Sequence, residues 1–423
     1  MLALPIISKR APDEALSASF VISQKHSMKS LLKLAMALAL LTPILSAQDT
    51  RLDAYLTSGK LQDGIAAFSK ASSDGDRFSL AVLQSLQGLQ QFAEGADNLG
   101  LKSTLANSGL PFFRVLPHPS GVKAETATPE KVRALFQNLR EALTKANGTL
   151  SKVGESEFKV QVNLSQAHLE NKDGVPGMPL VDSLGKILNL QTASEKDLVI
   201  NFDSADAMWL KGYTHVLLGL LDVFMAYDWR PVWNQSAHVL FTSPSPLPAI
   251  AKYTVTSQGG QFSEWADLIA AIHEMRLEVC DPDGLKKAVT EFRSAIVCSR
   301  ICWKRVLAET DDDHEWLPSP QQTGPRGSKI TQEQIDGWMV VLNEVDAILT
   351  GKKLLPHWRI INGMGINVAK LVQSPPKLDL VLMIQGSTFA PYIEGGDVSD
   401  QTKWRTLIAP FGPGFTGFAL WSN

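Results

Sequence analysis

No stretch of this 423-residue chain supplies the roughly 20 consecutive apolar residues that a membrane-spanning helix needs. The two nearest approaches fall short: Leu34 to Leu45 contains Thr42 and Pro43, and Gly212 to Tyr227 contains His215 and Asp222. An excess of positive charge is missing too. Forty basic residues face 43 acidic ones, a net charge of −3. That balance argues against nucleic acid, which demands a clustered basic surface, and gives no bulk attraction to anionic lipid. Cysteine is scarce, with only Cys280, Cys298 and Cys302, and three sulfurs with no histidine nearby make a poor zinc site. Cys298 and Cys302 lie four apart on an expected helix, where Cβ atoms sit ~5–6 Å apart, wider than the ~3.5–4.5 Å of a disulfide. A bridge from Cys280 to one of them is open, as is the alternative of three free thiols acting as small hydrophobes.

Catalytic signatures are absent as well. There is no G-x-S-x-G elbow, no Walker loop and no H-E-x-x-H; His273-Glu274 has Leu277 where a second zinc ligand would stand. Gly363-Met364-Gly365 begins a dinucleotide-type run, but Val368 occupies the third glycine position, so it reads as a turn. Asn171 to Gly174 echoes an EF-hand loop, yet placing Gly174 sixth puts Leu169 and Leu180 at the two end-ligand positions.

What is present is a globular composition, 44% hydrophobic and 20% charged, with ten Trp and seventeen Phe for an aromatic core. Near its start, Met28 to Ala47 has the three parts of a secretory signal peptide: Lys29 and Lys33, an apolar run through Leu41, and a small-residue edge at Ser46-Ala47. The reading that follows is a true start at Met28, with residues 1–27 a mis-assigned extension, and cleavage after Ala47. Gln48 stands where a lipid-anchored precursor would have Cys, so the expected product is soluble and periplasmic or extracellular.

Residues 51 to 72 read as two helices around a turn at Ser58-Gly59-Lys60. Tyr55, Gly59, Leu61, Gly64, Ile65, Phe68 and Ala71 resemble the key positions of a tetratricopeptide repeat, with Gly64 where that family usually has Ala. The resemblance covers about one repeat, where stacked arrays need about three, and implies a protein-binding hairpin in which Tyr55 and Phe68 are the interaction candidates. It places a repeat-like region over 48–120, ahead of a helical body over 121–423.

The expected fold is mainly α with a few short strands. A weak helix is expected over 78–94. Thr128-Pro129-Glu130 opens a helix with a cap, a first-turn Pro and an early acid. Phe158 to Leu164 alternates as a strand, and Leu198–Phe202 and Tyr253–Val255 are further strand candidates. Asp203-Ser204-Ala205-Asp206 starts a long helix to about Tyr227, apolar on most sides and so buried all round. Helices follow over 263–277, 285 to about 309, and 332–349, the last behind a Thr331 to Gln334 capping box and ahead of Gly351. The terminal run FTGFALWSN is expected to tuck inwards, since a loose end would expose Phe418, Leu420 and Trp421.

The acidic run from Glu309 to Glu315 is the best chemical candidate. It sits at a helix C-terminus, where the dipole disfavours negative charge by ~0.3–1 kcal/mol per group. A divalent cation held by Asp311, Asp313 and His314 would compensate; a solvated turn paired with Lys304, Arg305 or Arg326 would do so without metal. A second cluster comprises Asp206, Trp209, Tyr213, His215, Asp222, Tyr227, Asp228, Trp229, Trp233 and His238. Its aromatics and carboxylates either line a sugar or peptide pocket or form a satisfied core. His357 and Arg359 sit near a bend without a third partner.

The segments FDSADAMWLKGY (202–213), ETDDDHEW (309–316), KKLLPHWR (352–359) and GFALW (417–421) resemble an uncharacterised family of exported bacterial proteins. That resemblance implies export and carries no functional residues. The expected function is a soluble binding or scaffold protein of the cell envelope with a protein partner there; the competing class is a metal-assisted hydrolase acting on an envelope polymer.

Overall fold

Thirteen α-helices and six short strands make up the described part of the computed structural model, which covers residues 48–70, 72–102, 124–170, 177–181, 198–252 and 261–422. The mainly α expectation holds. The strand expected at 253–255, the loop at 171–174 and the boundary near 120 lie outside the described residues.

The front is a short helical hairpin, α1 (Arg51–Thr57) and α2 (Leu61–Phe68), turned by Gly59 at φ +61. A Cβ on Gly64 would come within 2.7 Å of Leu83 and 3.0 Å of the Tyr55 ring, which is why Ala does not stand there. Next comes α3 (Asp74–Asn98), longer at both ends than its pattern suggests. Ser73 caps it by accepting from the Asp76 amide, with Asp74 and Asp76 in the first turn. Because α3 is buried on most sides, Ser79, Gln84, Ser85 and Gln90 are inside and no clean apolar stripe is visible. It lies along α4 (Pro129–Leu150), which Thr128 caps as expected.

Strand β1 (Val160–Asn163) pairs antiparallel with β2 (Val199–Phe202), Val160 opposite Phe202. Helix α5 (Ser204–Met225) starts directly after β2, with Asp203 and Asp206 forming a reciprocal capping box. Its long neighbours are α4 and α8 (Gly284–Val306), and Gly219 lets the Phe292 ring approach. Between them run α6 (Arg230–Leu240), α7 (Gln261–Glu274) and β3 (Arg276–Leu277). Helix α7 stops short of the expected 277 because β3 leaves it to pair with β5 (Leu378–Asp379). Helix α9 (Gln332–Leu349) has the expected Thr331 box and ends before Gly351, whose φ is +71. Short elements follow: β4 (Met364–Ile366) paired with β6 (Ile393–Gly395), α10 (Val368–Gln373), α11 (Leu380–Gln385), α12 (Gln401–Ile408) and α13 (Phe415–Ser422).

Two cores dominate. One fills the front with Leu52, Leu61, Phe68, Phe78, Leu83 and Val160. The other gathers Trp303, Trp316, Trp338 and Phe411 beneath the C-terminal helix. Trp421 stacks on Trp316 at 4.4 Å, and its carbonyl accepts from the Trp209 indole at 2.6 Å. Phe418 packs against Trp303 and Phe411, whereas Leu420 remains 47% exposed. All three cysteines are free, Cys280 exposed and the other two buried. Burial pushes the Cys298 and Cys302 thiols up. Among the described residues no helix is long and apolar enough to cross a membrane.

Candidate functional site

The acidic run meets the start of α5 and the front sheet at a buried centre. Asp203, Glu309 and Glu315 bring carboxylate oxygens within 4.8 Å of one another. Asp206, one turn into α5, faces inwards beside them and accepts from the Asp203 amide at 3.0 Å. Lys159, just before β1, reaches in from the other side. Its Nζ lies 3.1 Å from Glu315, 3.0 Å from Asp311 and 3.8 Å from Asp203. Gln322 closes the group, donating to Glu309 at 3.1 Å and to the Asp311 carbonyl at 2.7 Å, while its own oxygen accepts from the Ser319 amide.

One ammonium therefore faces four inner carboxyl groups, and the surplus is met by protons. Burial, with the Asp203 charge next, pushes Glu309 up to about 9. Burial likewise raises Glu315 to about 7 against the pull of Lys159, and it lifts Asp206 well above the usual carboxylate range. Burial alone would lower Lys159, but Glu315, Asp311 and Asp203 outweigh it and hold the ammonium raised. The Arg305 guanidinium is turned to the Ser204 carbonyl at 2.8 Å.

The three expected metal ligands are not brought together. Asp311 touches Lys159 at the rim of the centre, half exposed. Asp313 points towards Gln48, and His314 is exposed. The cause is a left-handed turn: His314 has φ +60, and Asn201 of β2 pins it, its side-chain Nδ2 donating to the Asp313 carbonyl at 2.8 Å and its backbone amide to the His314 carbonyl at 3.2 Å. The run is thereby sorted into inner members, Glu309 and Glu315, and outer ones. A hard cation would suit three convergent carboxylates, but here the Lys159 ammonium stands among them. Lys159 was missed in the sequence because it is 150 residues from the run and flanks an ordinary strand.

The second cluster divides. Asp222 is buried and salt-bridged to Arg140, Nε to Oδ1 at 2.6 Å and Nη2 to Oδ2 at 3.2 Å. His215 meets Glu291 at 2.5 Å and His238 meets Asp267 at 3.2 Å. These are paired core and near-core polars, although the buried Nδ1 of His238 has no hydrogen-bond partner among the described residues. The exit of α5 is different: Phe224, Asp228, Trp229, Arg230 and Trp233 line a cavity of about 370 Å³ with Glu130 and Arg133 of α4 and the Cys280 thiol. Trp229 stacks on Phe224 with centroids 5.0 Å apart and 17° between planes, held by its indole donating to the Phe224 carbonyl. Arg230 clasps Asp228 at 2.6 Å and keeps that carboxyl low. Arg133 donates to the Met225 carbonyl at 2.8 Å, and the buried Trp233 indole N–H has no hydrogen-bond partner among the described residues. Asp228, Trp229 and Trp233 were singled out in the sequence; Phe224 and Arg230 beside them were not, and neither was the wall from α4 with Cys280, since only tertiary packing brings it there.

Tyr55 and Phe68 meet edge-on at 6.0 Å. Phe68 is 3% exposed and Tyr55 half-buried, so the pair packs the front hairpin internally. His357 donates from Nε2 to the Met383 carbonyl at 3.1 Å and reaches no carboxylate among the described residues.

Comparison with known proteins returns no matching family model, no similar curated protein and no similar solved structure. Function must be argued from these side chains.

Proposed function

We propose that the protein is an exported binding protein of the cell envelope whose ligand site is the cavity at the exit of α5, and that the ligand is a glycan segment of an envelope polymer. One observation carries this reading: a fixed aromatic plane, Trp229 on Phe224, borders a cavity of about 370 Å³ whose charged groups stand around it rather than fill it. A cavity of ~300–1,000 Å³ with apolar walls and a few fixed polar groups is the usual form of a small-ligand site. A sugar ring offers an apolar face for the aromatic plane and hydroxyls for the Glu130, Arg133, Asp228 and Arg230 groups. The two arginines and two carboxylates leave no net charge, which suits a neutral ligand better than an anion.

The competing class, a metal-assisted hydrolase, lacks comparable support because Lys159 stands where its cation would sit. The test is titration calorimetry with envelope oligosaccharide fragments on the wild type and Trp229→Ala. Saturable heat in the wild type that is lost in the variant supports the site. No heat with any fragment, or heat unaffected by the substitution, overturns it.

A further inference from the structure

Residues 354–366 and 380–393 carry a single charged side chain between them, Arg359. The fold lays these two segments side by side. His357 contacts the Met383 carbonyl at 3.1 Å, and the Trp358 indole donates to the Ile384 carbonyl at 3.0 Å. On this face Trp358 is 75% exposed, Ile361 71% and Ile384 58%, with Val381 and Leu382 also exposed. No side chain of α11 is buried. Helix α7, joined to α11 through the β3–β5 pair and the Leu380 amide on the Met275 carbonyl, exposes Trp265, Leu268 and Ile269 at helical spacing. Apolar exposure on this scale marks an interaction surface.

We propose that this face seats the protein on an anionic lipid surface. The most exposed side chains are two tryptophans, Trp358 and Trp265, and three isoleucines, Ile361, Ile269 and Ile384, the form of a membrane-interface anchor. Charge chooses the lipid. Arg359 has its guanidinium 5.5 Å from the Trp358 ring centre and no carboxylate partner among the described residues. Neither segment contributes an acid to repel phosphate. The acids that flank the second segment are paired, Asp379 with Arg276 at 3.4 Å and Glu394 with Lys370, so the bulk charge of −3 argues against lipid only on average. Trp358 and the isoleucines enter the headgroup boundary while Arg359 meets a lipid phosphate. This inference is independent of the ligand taken by the α5 cavity.

The test is co-sedimentation of the full chain with phosphatidylglycerol vesicles and with phosphatidylcholine vesicles. Three proteins are compared: the wild type, the triple substitution Trp358→Ala, Ile361→Ser and Ile384→Ser, and Arg359→Glu. All share the same N-terminal segment, so differences report this face alone, and exposed substitutions leave the circular dichroism unchanged. The expected result is binding to phosphatidylglycerol that drops about tenfold in the triple variant, with Arg359→Glu weakening it selectively on that lipid. Equal binding by all three proteins overturns the proposal, as does a wild type that stays in the supernatant. A concentration-dependent dimer abolished by the triple substitution, without vesicle binding, also overturns it and assigns the face to a second copy.

Discussion

Around Lys159, four inner carboxyl groups from α5 and the acidic run converge on one ammonium and on each other, whereas at the exit of α5 two arginines and two carboxylates surround a cavity of about 370 Å³. In the first region charge is turned inwards and neutralised by protons and a lysine that the fold supplies. In the second, Arg230 pairs with Asp228 while Arg133 is turned to the Met225 carbonyl, and the charges are left beside open space. Perturbed acids are common at functional sites, yet here the strongly shifted groups lie in the region that joins the front sheet to the helical body. The lesson is that a shifted carboxyl identifies buried charge, and only the space next to it separates a joint from a site.

The sharpest way to break the comparison is Lys159→Met. Removing this ammonium leaves the carboxylates it touches uncompensated, a loss of about 3–5 kcal/mol for breaking a buried ion pair. Urea unfolding should show a smaller loss at pH 5 than at pH 8, because one more proton can take the place of the ammonium. In this variant added calcium should raise the melting temperature, while in the wild type, where Lys159 stands among the acids, the shift should be near zero. An equal calcium shift in both proteins would return the centre to the metal reading.

The next effect is on pH dependence. Folded Glu309 keeps its proton until about pH 9, against an ordinary value of 4.5. The folded state binds more protons than the unfolded chain across that window, so stability falls as pH rises from about 4.5 to about 9. Glu315 adds the same sign up to about 7. The raised Lys159 does not offset this, since its stabilisation is fully present below its ordinary 10.5. Glu309→Gln keeps the shape and removes the titration, so its unfolding free energy should be flatter between pH 5 and 9 and exceed the wild type at pH 8. A wild-type curve already flat over that range would refute the proton-sharing account.

At the cavity, Trp229→Ala should cost about 1–3 kcal/mol of ligand binding and little stability, because Trp229 is half-buried at the edge. Trp233→Ala should instead cost about 3–5 kcal/mol of stability, since that ring is 8% exposed and packs on Phe241. If the two substitutions behave alike, the cavity is merely a gap in the core.

How much of this was legible in advance depends on the range of the cause. Helix starts set by a few neighbouring residues were readable: Thr128-Pro129, the Asp203–Asp206 box and the Thr331 box all stand where their patterns put them. The aromatic terminus was readable because Phe418 and Trp421 have no favourable place outside. Helix α3 was half-hidden because its polar residues are inside. The acidic run was recognised as unusual, but its sorting was not, since it depends on Asn201 and Lys159, more than a hundred residues away. Nor could Glu130, Arg133 and Cys280 be joined to Trp229 without the packing of α4 on α5.

The smallest effect falls on the residue that divides the two sides of the run. A non-glycine residue in the left-handed region costs roughly 1–2 kcal/mol, and glycine gives back roughly 0.5–1 in chain entropy. Since the His314 side chain is exposed and only its carbonyl is used, His314→Gly should keep both bonds to Asn201 and gain about 0.5 kcal/mol. Thermal unfolding with and without divalent ions decides what the imidazole does. A small gain, equal in both conditions, means that only the backbone at 314 matters and that the outer acids are a solvated face. A loss that appears only when metal is present would mean that the imidazole binds it, and would move the metal from the inner carboxylates to Asp311, Asp313 and His314.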